Sequence, residues 1–208
     1  MRALGHPPLL YLITDRTLCG TRSVLDLIEE AARAGVDLIQ IREKDLPTRQ
    51  LCALVEEAVA RIAGTPARLL VNDRVDVALT CGAHGVHLTT QSLPAAVVRE
   101  IVGPEVVIGV STHSLEEAHA AEAGGADFLV LGPVFETPSK KPYGPPLGLE
   151  TFARIAARLR IPVLAIGGIT PENAPAVLAH HAAGVAAIRM FAEAEELAPL
   201  VARLKSSR

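Results

Sequence analysis

The feature that most constrains the fold is a regular alternation, along the chain, of short β-branched runs with stretches of helical periodicity. Eight runs are predicted to be strands: residues 9–14, 36–42, 68–72, 85–88, 106–110, 128–131, 163–166 and 185–188. Eight amphipathic stretches are predicted to be helices: residues 23–34, 48–62, 75–80, 95–102, 115–123, 149–159, 172–178 and 193–204. Strands that are apolar on both faces and separated by helices are typical of a parallel sheet.

A short internal repeat supports this division of the chain. The segments AGVDLIQI, CGAHGVHL, GGADFLVL and HAAGVAAI each place a glycine or an Ala-Gly step just before a strand, as a helix C-cap requires. Eight strand–helix units close naturally into a (β/α)8 TIM barrel. The rival, an open doubly wound sheet, usually has a glycine-rich phosphate loop after its first strand, but here Asp15-Arg16-Thr17 follows that strand. We therefore predict one TIM-barrel domain over residues 1–208.

Composition narrows the choice of partners. The chain carries 20 basic and 23 acidic residues, a net charge of −3, which gives no reason to expect nucleic acid or an anionic membrane. No apolar run reaches the roughly 18 residues that a membrane helix needs. Three separated cysteines without a C-x-x-C pair indicate neither a zinc site nor a disulfide framework. We expect a cytoplasmic protein that acts on a small molecule.

The second predicted strand ends in a cationic cluster. Alternation puts Gln40, Arg42 and Lys44 on one face of the chain. Because catalytic loops of a TIM barrel follow the strand C-termini, two cations and an amide at this point favour a phosphorylated ligand. The alternative is a solvated charged turn that leads into the next helix.

Two other strand ends carry titratable groups. Asp73 follows the third predicted strand, where it is either the N-cap of the next helix or a ligand for a divalent cation held with phosphates. After the fifth strand, Ser114 and Glu117 fit a capping box, which leaves His113 unexplained. His113 is therefore a candidate acid/base, with a surface histidine as the alternative.

The last strand ends are predicted to bind phosphate. The long segment 132–144 is rich in hydroxyl groups and lysine, and its Thr137, Ser139 and Lys140 are suited to wrap an anion. Gly167 and Gly168 follow the seventh strand, where paired glycines let backbone N–H groups approach a phosphate. A tight packing turn is the structural alternative for the two glycines.

These motifs together resemble a known family. YLITDR, QIREKD, LLVNDRVDVAL, GVHL, GVSTHSLEEA, GADFLVLGPVFETPSKK and IPVLAIGGITPEN occur in this order and closely resemble the thiamine phosphate synthase/TenI family. The resemblance implies a TIM barrel that acts in thiamine biosynthesis on a thiazole phosphate. It leaves open which of two family activities the chain has.

In the synthases of this family, an aminopyrimidine pyrophosphate loses its pyrophosphate and the thiazole phosphate nitrogen captures the resulting carbocation, with Mg²⁺ on the leaving group. By position in the motifs, the resemblance assigns Gln40, Arg42, Lys44 and Asn72 to the pyrimidine-pyrophosphate side. It assigns Asp73 to the metal. To the thiazole-phosphate side it assigns Ser111, Thr137, Ser139, Lys140 and Gly168.

The sequence departs from the synthase pattern at two points. Synthases continue GVHL with Gly-Gln-x-Asp, in which the aspartate is the second magnesium ligand, but this chain has Ser92 there. After the last strand, Arg189 replaces a small residue and either clamps the phosphate or fills the pocket. Replacing a carboxylate by a hydroxyl should weaken metal binding.

The missing carboxylate leads us to expect a TenI-like thiazole tautomerase, an isomerase that needs no cofactor and uses His113 to move a proton. A thiamine phosphate synthase that requires Mg²⁺ is the first alternative, and a non-catalytic binder of thiazole or thiamine phosphate is the second. Because symmetric assemblies are common among such proteins, a homo-oligomer is also expected.

Overall fold

The computed structural model describes residues 4–137 and 145–207 and contains a closed barrel of parallel strands in the order β1 to β8. Each strand pairs with the next, and β8 pairs with β1, which closes the barrel. The strands are β1 Leu9–Ile13, β2 Leu38–Ile41, β3 Arg68–Asn72, β4 Gly85–Leu88, β5 Val107–Thr112, β6 Phe128–Leu131, β7 Val163–Ile166 and β8 Gly184–Ala187. The predicted TIM barrel is confirmed.

Helices follow the strands and surround the barrel. They are α1 Val24–Ala34, α2 Thr48–Arg61, α3 Val75–Thr80, α4 Ala95–Val102, α5 Leu115–Ala123, α6 Gly148–Ala156, α7 Ala174–Leu178, α8 Arg189–Ala192 and α9 Leu197–Ser206. A short 3₁₀ turn, Arg16–Leu18, lies between β1 and α1. The helix predicted over residues 193–204 corresponds to α9, which begins four residues later than predicted, and the short α8 before it was not predicted.

Alternation along the strands separates two apolar layers. Side chains such as Leu9, Tyr11 and Phe128 point inward and form the barrel interior, whereas Leu10 and Leu129 point outward into the layer beneath the helices. All these residues are fully or almost fully buried. Because the strands are apolar on both faces, their polar residues are concentrated where the strands end.

The internal repeat has a structural role that the sequence alone did not indicate. In three of the four copies, the fourth residue of the segment accepts a hydrogen bond from a backbone N–H of the preceding strand. Asp37 accepts from Leu10, His84 accepts from Leu69 through Nδ1 at 3.0 Å, and Asp127 accepts from Ile108. The fourth copy has Gly184 at this position, where an added Cβ would lie 2.0 Å from the carbonyl oxygen of Leu9. The repeat therefore fixes the spacing between paired strands at the amino-terminal end of the barrel.

Among the described residues, no helix is long and apolar enough to cross a membrane.

Candidate active site

The carboxyl end of β2 supplies an amide and two cations to one end of the barrel. Gln40 points into the interior and is 1% exposed, Arg42 is half-buried and Lys44 is exposed. Neither cation has a hydrogen bond or ion pair with any described side chain. The charge of Arg42 contributes to lowering the pKa of His87 inside the barrel. Both cations are therefore available to an anionic ligand as far as the described residues go, and the shared face predicted for them and Gln40 stays a prediction.

The buried carboxylate of Glu43 lies between these two cations in sequence and connects the strand end to the loop after β1. Glu43 is 5% exposed and accepts hydrogen bonds from the Thr14 hydroxyl at 2.7 Å and from both the backbone and the guanidinium of Arg16. The Thr14 Oγ1 in turn accepts from the backbone N–H of Arg42 at 3.0 Å. These hydrogen bonds join the loops after β1 and β2. The role of Glu43 was not predicted from the sequence. The signal for it is that Glu43 alternates with Arg42 and Lys44 at the strand end and therefore lies on the opposite face.

The end of β3 presents Asp73 in an unusual backbone conformation. Its φ is +62°, in the left-handed region that few residues other than glycine adopt, and its backbone N–H donates to the carbonyl of His87. The predicted N-cap alternative is wrong, because the N-cap of α3 is Arg74 and no side chain caps this helix. Asp73 is exposed, and its carboxylate makes no hydrogen bond or ion pair within the described ranges, although its charge acts on the neighbouring Arg74. The half-buried Asn72 lies beside it.

The residue at the position of the second metal ligand is held within its own loop. The Ser92 hydroxyl accepts from the backbone N–H of Thr89 at 2.8 Å and lies 3.1 Å from the Thr89 hydroxyl. In residues 4–137 and 145–207, no cluster of three or more histidine, cysteine or acidic side chains has the arrangement of a metal site. Because Mg²⁺ is commonly bound through one or two carboxylates plus phosphate oxygens and water, Asp73 fits a cation that is bound together with a pyrophosphate.

Inside the barrel, four polar side chains form one hydrogen-bonded line. The amide of Gln40 donates to the Tyr11 hydroxyl at 2.8 Å, Tyr11 lies 3.1 Å from Nδ1 of His87, and Nε2 of His87 lies 2.8 Å from the Ser111 hydroxyl. Burial, aided by the charge of Arg42, lowers the pKa of His87 to about 3. Burial also raises the pKa of Tyr11 far above its ordinary value. Both rings are therefore neutral, and Ser111 is the half-buried end of the line.

His113 contacts the first turn of α5. Ser114 caps this helix and accepts from the N–H of Glu117. The Glu117 carboxylate accepts a hydrogen bond from the backbone N–H of His113 at 2.7 Å. The Nδ1 of His113 lies 3.2 Å from the same carboxylate. This contact gives His113 a structural role in the helix cap, which the sequence analysis had not found.

The glycines after β7 lie against the segment after β6. Both have positive φ, +96° at Gly167 and +65° at Gly168. A Cβ on Gly167 would lie 2.5 Å from Pro133, and one on Gly168 would lie 2.6 Å from the carbonyl oxygen of Glu136. The tight-packing alternative therefore explains why glycine is needed at both positions. Their backbone N–H groups donate to no described acceptor, so that binding of a phosphate by these groups stays a prediction.

The remaining predicted site residues have different environments. Thr137 is half-buried, whereas Ser139 and Lys140 lie outside the described residues. Arg189 is 61% exposed and pairs with Glu193 at 2.7 Å, so it does not fill the barrel interior.

The fold and this mouth define a TIM-barrel protein with a candidate anion site at the carboxyl ends of its strands. Residues 10–191 match the family model TMP-TENI, thiamine monophosphate synthase, and the chain belongs to this family. It is 51% identical over 180 residues to a putative thiamine-phosphate synthase of Geobacter sulfurreducens, a match that covers 86% of this chain and 84% of the relative.

Other relatives carry the same name. A thiamine-phosphate synthase of Roseiflexus sp. is 46% identical over 182 residues, covering 86% of this chain and 76% of the relative. Among solved structures, thiamine phosphate pyrophosphorylase of Pyrococcus furiosus superposes with a TM-score of 0.84 at 38% identity, covering 94% of this chain and 93% of that one.

These relatives overturn the expectation of a TenI-like thiazole tautomerase, and the isomerase assignment is wrong. The sequence argument gave too much weight to the carboxylate missing at Ser92, since phosphate oxygens and water can supply most of the ligands of Mg²⁺. The proton transfer assigned to His113 as a tautomerase falls with that activity, and its more general role as a candidate acid/base stays a prediction.

Proposed function

We propose that the chain is a thiamine-phosphate synthase, a transferase that joins an aminopyrimidine pyrophosphate to a thiazole phosphate. The proposal rests on Arg42 and Lys44 after β2 and on the carboxylate of Asp73, none of which forms an ion pair with the described residues, in a chain 46% identical to a relative named for this reaction. A barrel that binds two phosphorylated substrates needs cations at its mouth, and Arg42 and Lys44 supply them.

The reaction exchanges one bond for another. The C–O bond between the pyrimidine methylene and the pyrophosphate breaks, and the pyrophosphate leaves with the electron pair. The thiazole nitrogen then donates its lone pair to the methylene carbon and forms the new C–N bond. Charge develops on the departing oxygen, so that cations placed beside it stabilise the transition state more than the ground state. We assign this role to Arg42 and Lys44, with Gln40 and Asn72 as neutral contacts to the same substrate.

Asp73 is the residue that we propose as the Mg²⁺ ligand. Bound with the pyrophosphate, Mg²⁺ would neutralise the leaving group. Asp73 has a left-handed backbone and does not cap α3, and its carboxylate makes no hydrogen bond or ion pair with the described residues, which suits a metal ligand better than a helix cap. With Ser92 bonded to Thr89, one protein carboxylate remains for the cation.

The thiazole phosphate is proposed to lie on the opposite side of the mouth. Here we assign Ser111, Thr137, the backbone N–H groups of Gly167 and Gly168, and, from the sequence, Ser139 and Lys140. Arg189 lies outside this group in our proposal unless it exchanges Glu193 for a phosphate. Because phosphate oxygens only accept hydrogen bonds, every one of these contacts must be a donor.

The finer expectations on organisation remain proposals. We propose that residues 1–208 act as one domain in the cytoplasm, on phosphorylated small molecules and without nucleic acid or membrane partners. A homo-oligomer also remains a prediction.

A reaction with omitted components tests the function. Purified protein with both substrates and Mg²⁺ is expected to release pyrophosphate only when the thiazole phosphate is also present. Pyrophosphate released at the same rate without the thiazole would indicate hydrolysis and contradict the transfer. No release in the complete mixture, with tight binding of thiamine phosphate, would identify a non-catalytic binder.

A further inference from the structure

The polar line inside the barrel joins residues that lie far apart in sequence and on different sides of the mouth. Gln40 lies on β2, Tyr11 on β1, His87 on β4 and Ser111 on β5. Only the two ends of the line, Gln40 and Ser111, are among the residues assigned above to substrate. Tyr11 and His87 are 0% and 2% exposed and have no role in the proposed reaction so far.

In the structure, the orientation of the Gln40 amide sets the direction of the other hydrogen bonds. The Gln40 nitrogen only donates, so the Tyr11 oxygen accepts from it. The single proton of Tyr11 then has Nδ1 of His87 as its acceptor, 3.1 Å away. A neutral imidazole with an unprotonated Nδ1 carries its proton on Nε2, which therefore donates to the Ser111 oxygen at 2.8 Å. In this arrangement no buried donor or acceptor of the two rings is left without a partner.

We propose that Tyr11 and His87 are positioning residues that hold the Ser111 hydroxyl as a hydrogen-bond donor toward the ligand. The same chain of bonds leaves the amide oxygen of Gln40, which has no donor within the described ranges, as an acceptor. The line therefore matches a ligand acceptor, such as a phosphoryl oxygen, at Ser111 and a ligand donor, such as an amino group, at Gln40. This proposal rests on the proposed function, because it assigns the two ends to the two substrates.

The two ends are coupled. If the Gln40 amide turned over, its oxygen would accept from Tyr11, and each following bond would reverse until Ser111 accepted from the ligand. A ligand that fixes one end therefore favours one direction at the other, which is a coupling between two binding sites.

Packing keeps the rings of Tyr11 and His87 in place. The hydrogen bonds can therefore reverse only by rotation of the Gln40 amide and by movement of protons between the groups. The Tyr11 and Phe128 rings meet edge to face at a centroid distance of 5.4 Å, and His87 lies 6.1 Å from Phe128. Gly109 leaves the space for these rings, since a Cβ there would lie 2.3 Å from Phe128 and 2.7 Å from Nδ1 of His87.

The tautomer of His87 tests the direction of the line. In ¹⁵N-histidine-labelled protein, with the signal assigned by its loss in His87→Asn, we expect the Nε2–H tautomer. Tyr11→Phe removes the hydroxyl but keeps the ring, and it should leave a mixture of tautomers. Thr112→Val is the matched control, because the Thr112 hydroxyl is buried on the next residue after Ser111 and has no partner among the described groups; it should change nothing. An Nδ1–H tautomer, or a pure Nε2–H tautomer in Tyr11→Phe, would overturn the proposal.

A double-mutant cycle tests the positioning role. We expect Tyr11→Phe and Ser111→Ala each to lower kcat/KM for thiamine phosphate formation about tenfold or more, since each removes the same oriented donor. In the Ser111→Ala background, Tyr11→Phe should then have almost no further effect. Independent, multiplicative losses would show that the Tyr11 hydroxyl acts separately from Ser111 and would contradict the proposal. If the wild type forms no thiamine phosphate, the proposed function fails, and the tautomer measurement still decides the direction of the line.

Discussion

Asp73 and Ser92 show how much a single side chain can change at the barrel mouth. Asp73 has a left-handed backbone and a carboxylate without a hydrogen bond to any described residue, while the Ser92 hydroxyl is bonded to Thr89. Two carboxylates can gather a divalent cation before substrate arrives, but one carboxylate needs the phosphate oxygens as well. We therefore expect this chain to bind Mg²⁺ mainly together with the pyrophosphate substrate.

Ser92→Asp should restore binding of the metal to the free protein. The Mg²⁺ concentration for half-maximal rate is expected to fall about tenfold, because one charged ligand is added at the mouth. Mg²⁺ titration by calorimetry without substrate should show binding only in the variant. Ser92→Ala is the control and should behave like the wild type in this titration. Equal Mg²⁺ dependence in Ser92→Asp and wild type would refute a metal site at this place.

Arg42→Ala should weaken the use of the pyrophosphate substrate. Loss of a charge-assisted hydrogen bond costs about 1.5–3 kcal/mol, so kcat/KM for that substrate is expected to fall about 10- to 100-fold. Arg33→Ala removes an arginine of a surface ion pair on α1 and should leave the kinetics unchanged. A similar loss in both variants would mean that Arg42 has no specific role.

Sequence patterns predicted part of this site because alternation is a local property. The phase of Gln40, Arg42 and Lys44 follows from the period of two in a strand. The contact between Tyr11 and His87 spans 76 residues, so that no local pattern reveals it until the barrel brings β1 and β4 together. The contact of His113 with Glu117, one helical turn away, was not predicted because Glu117 had been explained by Ser114 alone.

At the scale of helices and strands, the internal repeat predicted the barrel because its copies lie where helices end and strands begin. Each copy ends a helix and begins a strand, so the copies mark the joints of the fold, and the observed strand bounds differ from the predicted ones by at most two residues at either end. What the repeat did not indicate is that its acid or histidine binds the neighbouring strand. The short α8 was not predicted because its four residues make barely one helical turn, too few to show an amphipathic period.

Asp127→Ala should destabilise the joint between β5 and β6. Asp127 accepts from the backbone of Ile108 and from Arg99 at 2.7 Å, and both ionic side chains are mostly buried. Leaving these donors without an acceptor should lower the free energy of unfolding by about 1–3 kcal/mol. Urea denaturation measures the loss. The exposed pair of Arg74 and Asp76 supplies the control, since Asp76→Ala should cost at most about 1 kcal/mol. Equal losses would contradict a structural role for the repeat position.

At the scale of the whole molecule, a neutral buried histidine makes folding sensitive to acid. The pKa of His87 is about 3, against about 6.5 for an ordinary histidine. Between these pH values the unfolded chain binds a proton that the folded chain does not, so that stability falls as pH falls. Burial lowers the pKa of His84 in the same direction.

We expect the free energy of unfolding to be independent of His87 above about pH 6.5 and to fall below it, by up to about 1.4 kcal/mol per pH unit from this residue alone. Urea denaturation from pH 7.5 to 4.5 measures the slope. His87→Asn should reduce the slope by that amount, whereas His119→Asn, on the exposed face of α5, should not. An unchanged slope in His87→Asn would contradict a neutral His87 in the folded barrel.

The central claim is that the barrel mouth joins two phosphorylated substrates around a single metal carboxylate. ³¹P NMR of a complete reaction tests it most directly, because thiamine phosphate and pyrophosphate appear as separate signals. We predict that wild type and Mg²⁺ give the two products in equal amounts, that EDTA abolishes both, and that Asp73→Asn loses most of the rate while Asp76→Asn keeps it. Undiminished product formation with EDTA or with Asp73→Asn, or no thiamine phosphate from the wild type, would contradict the claim.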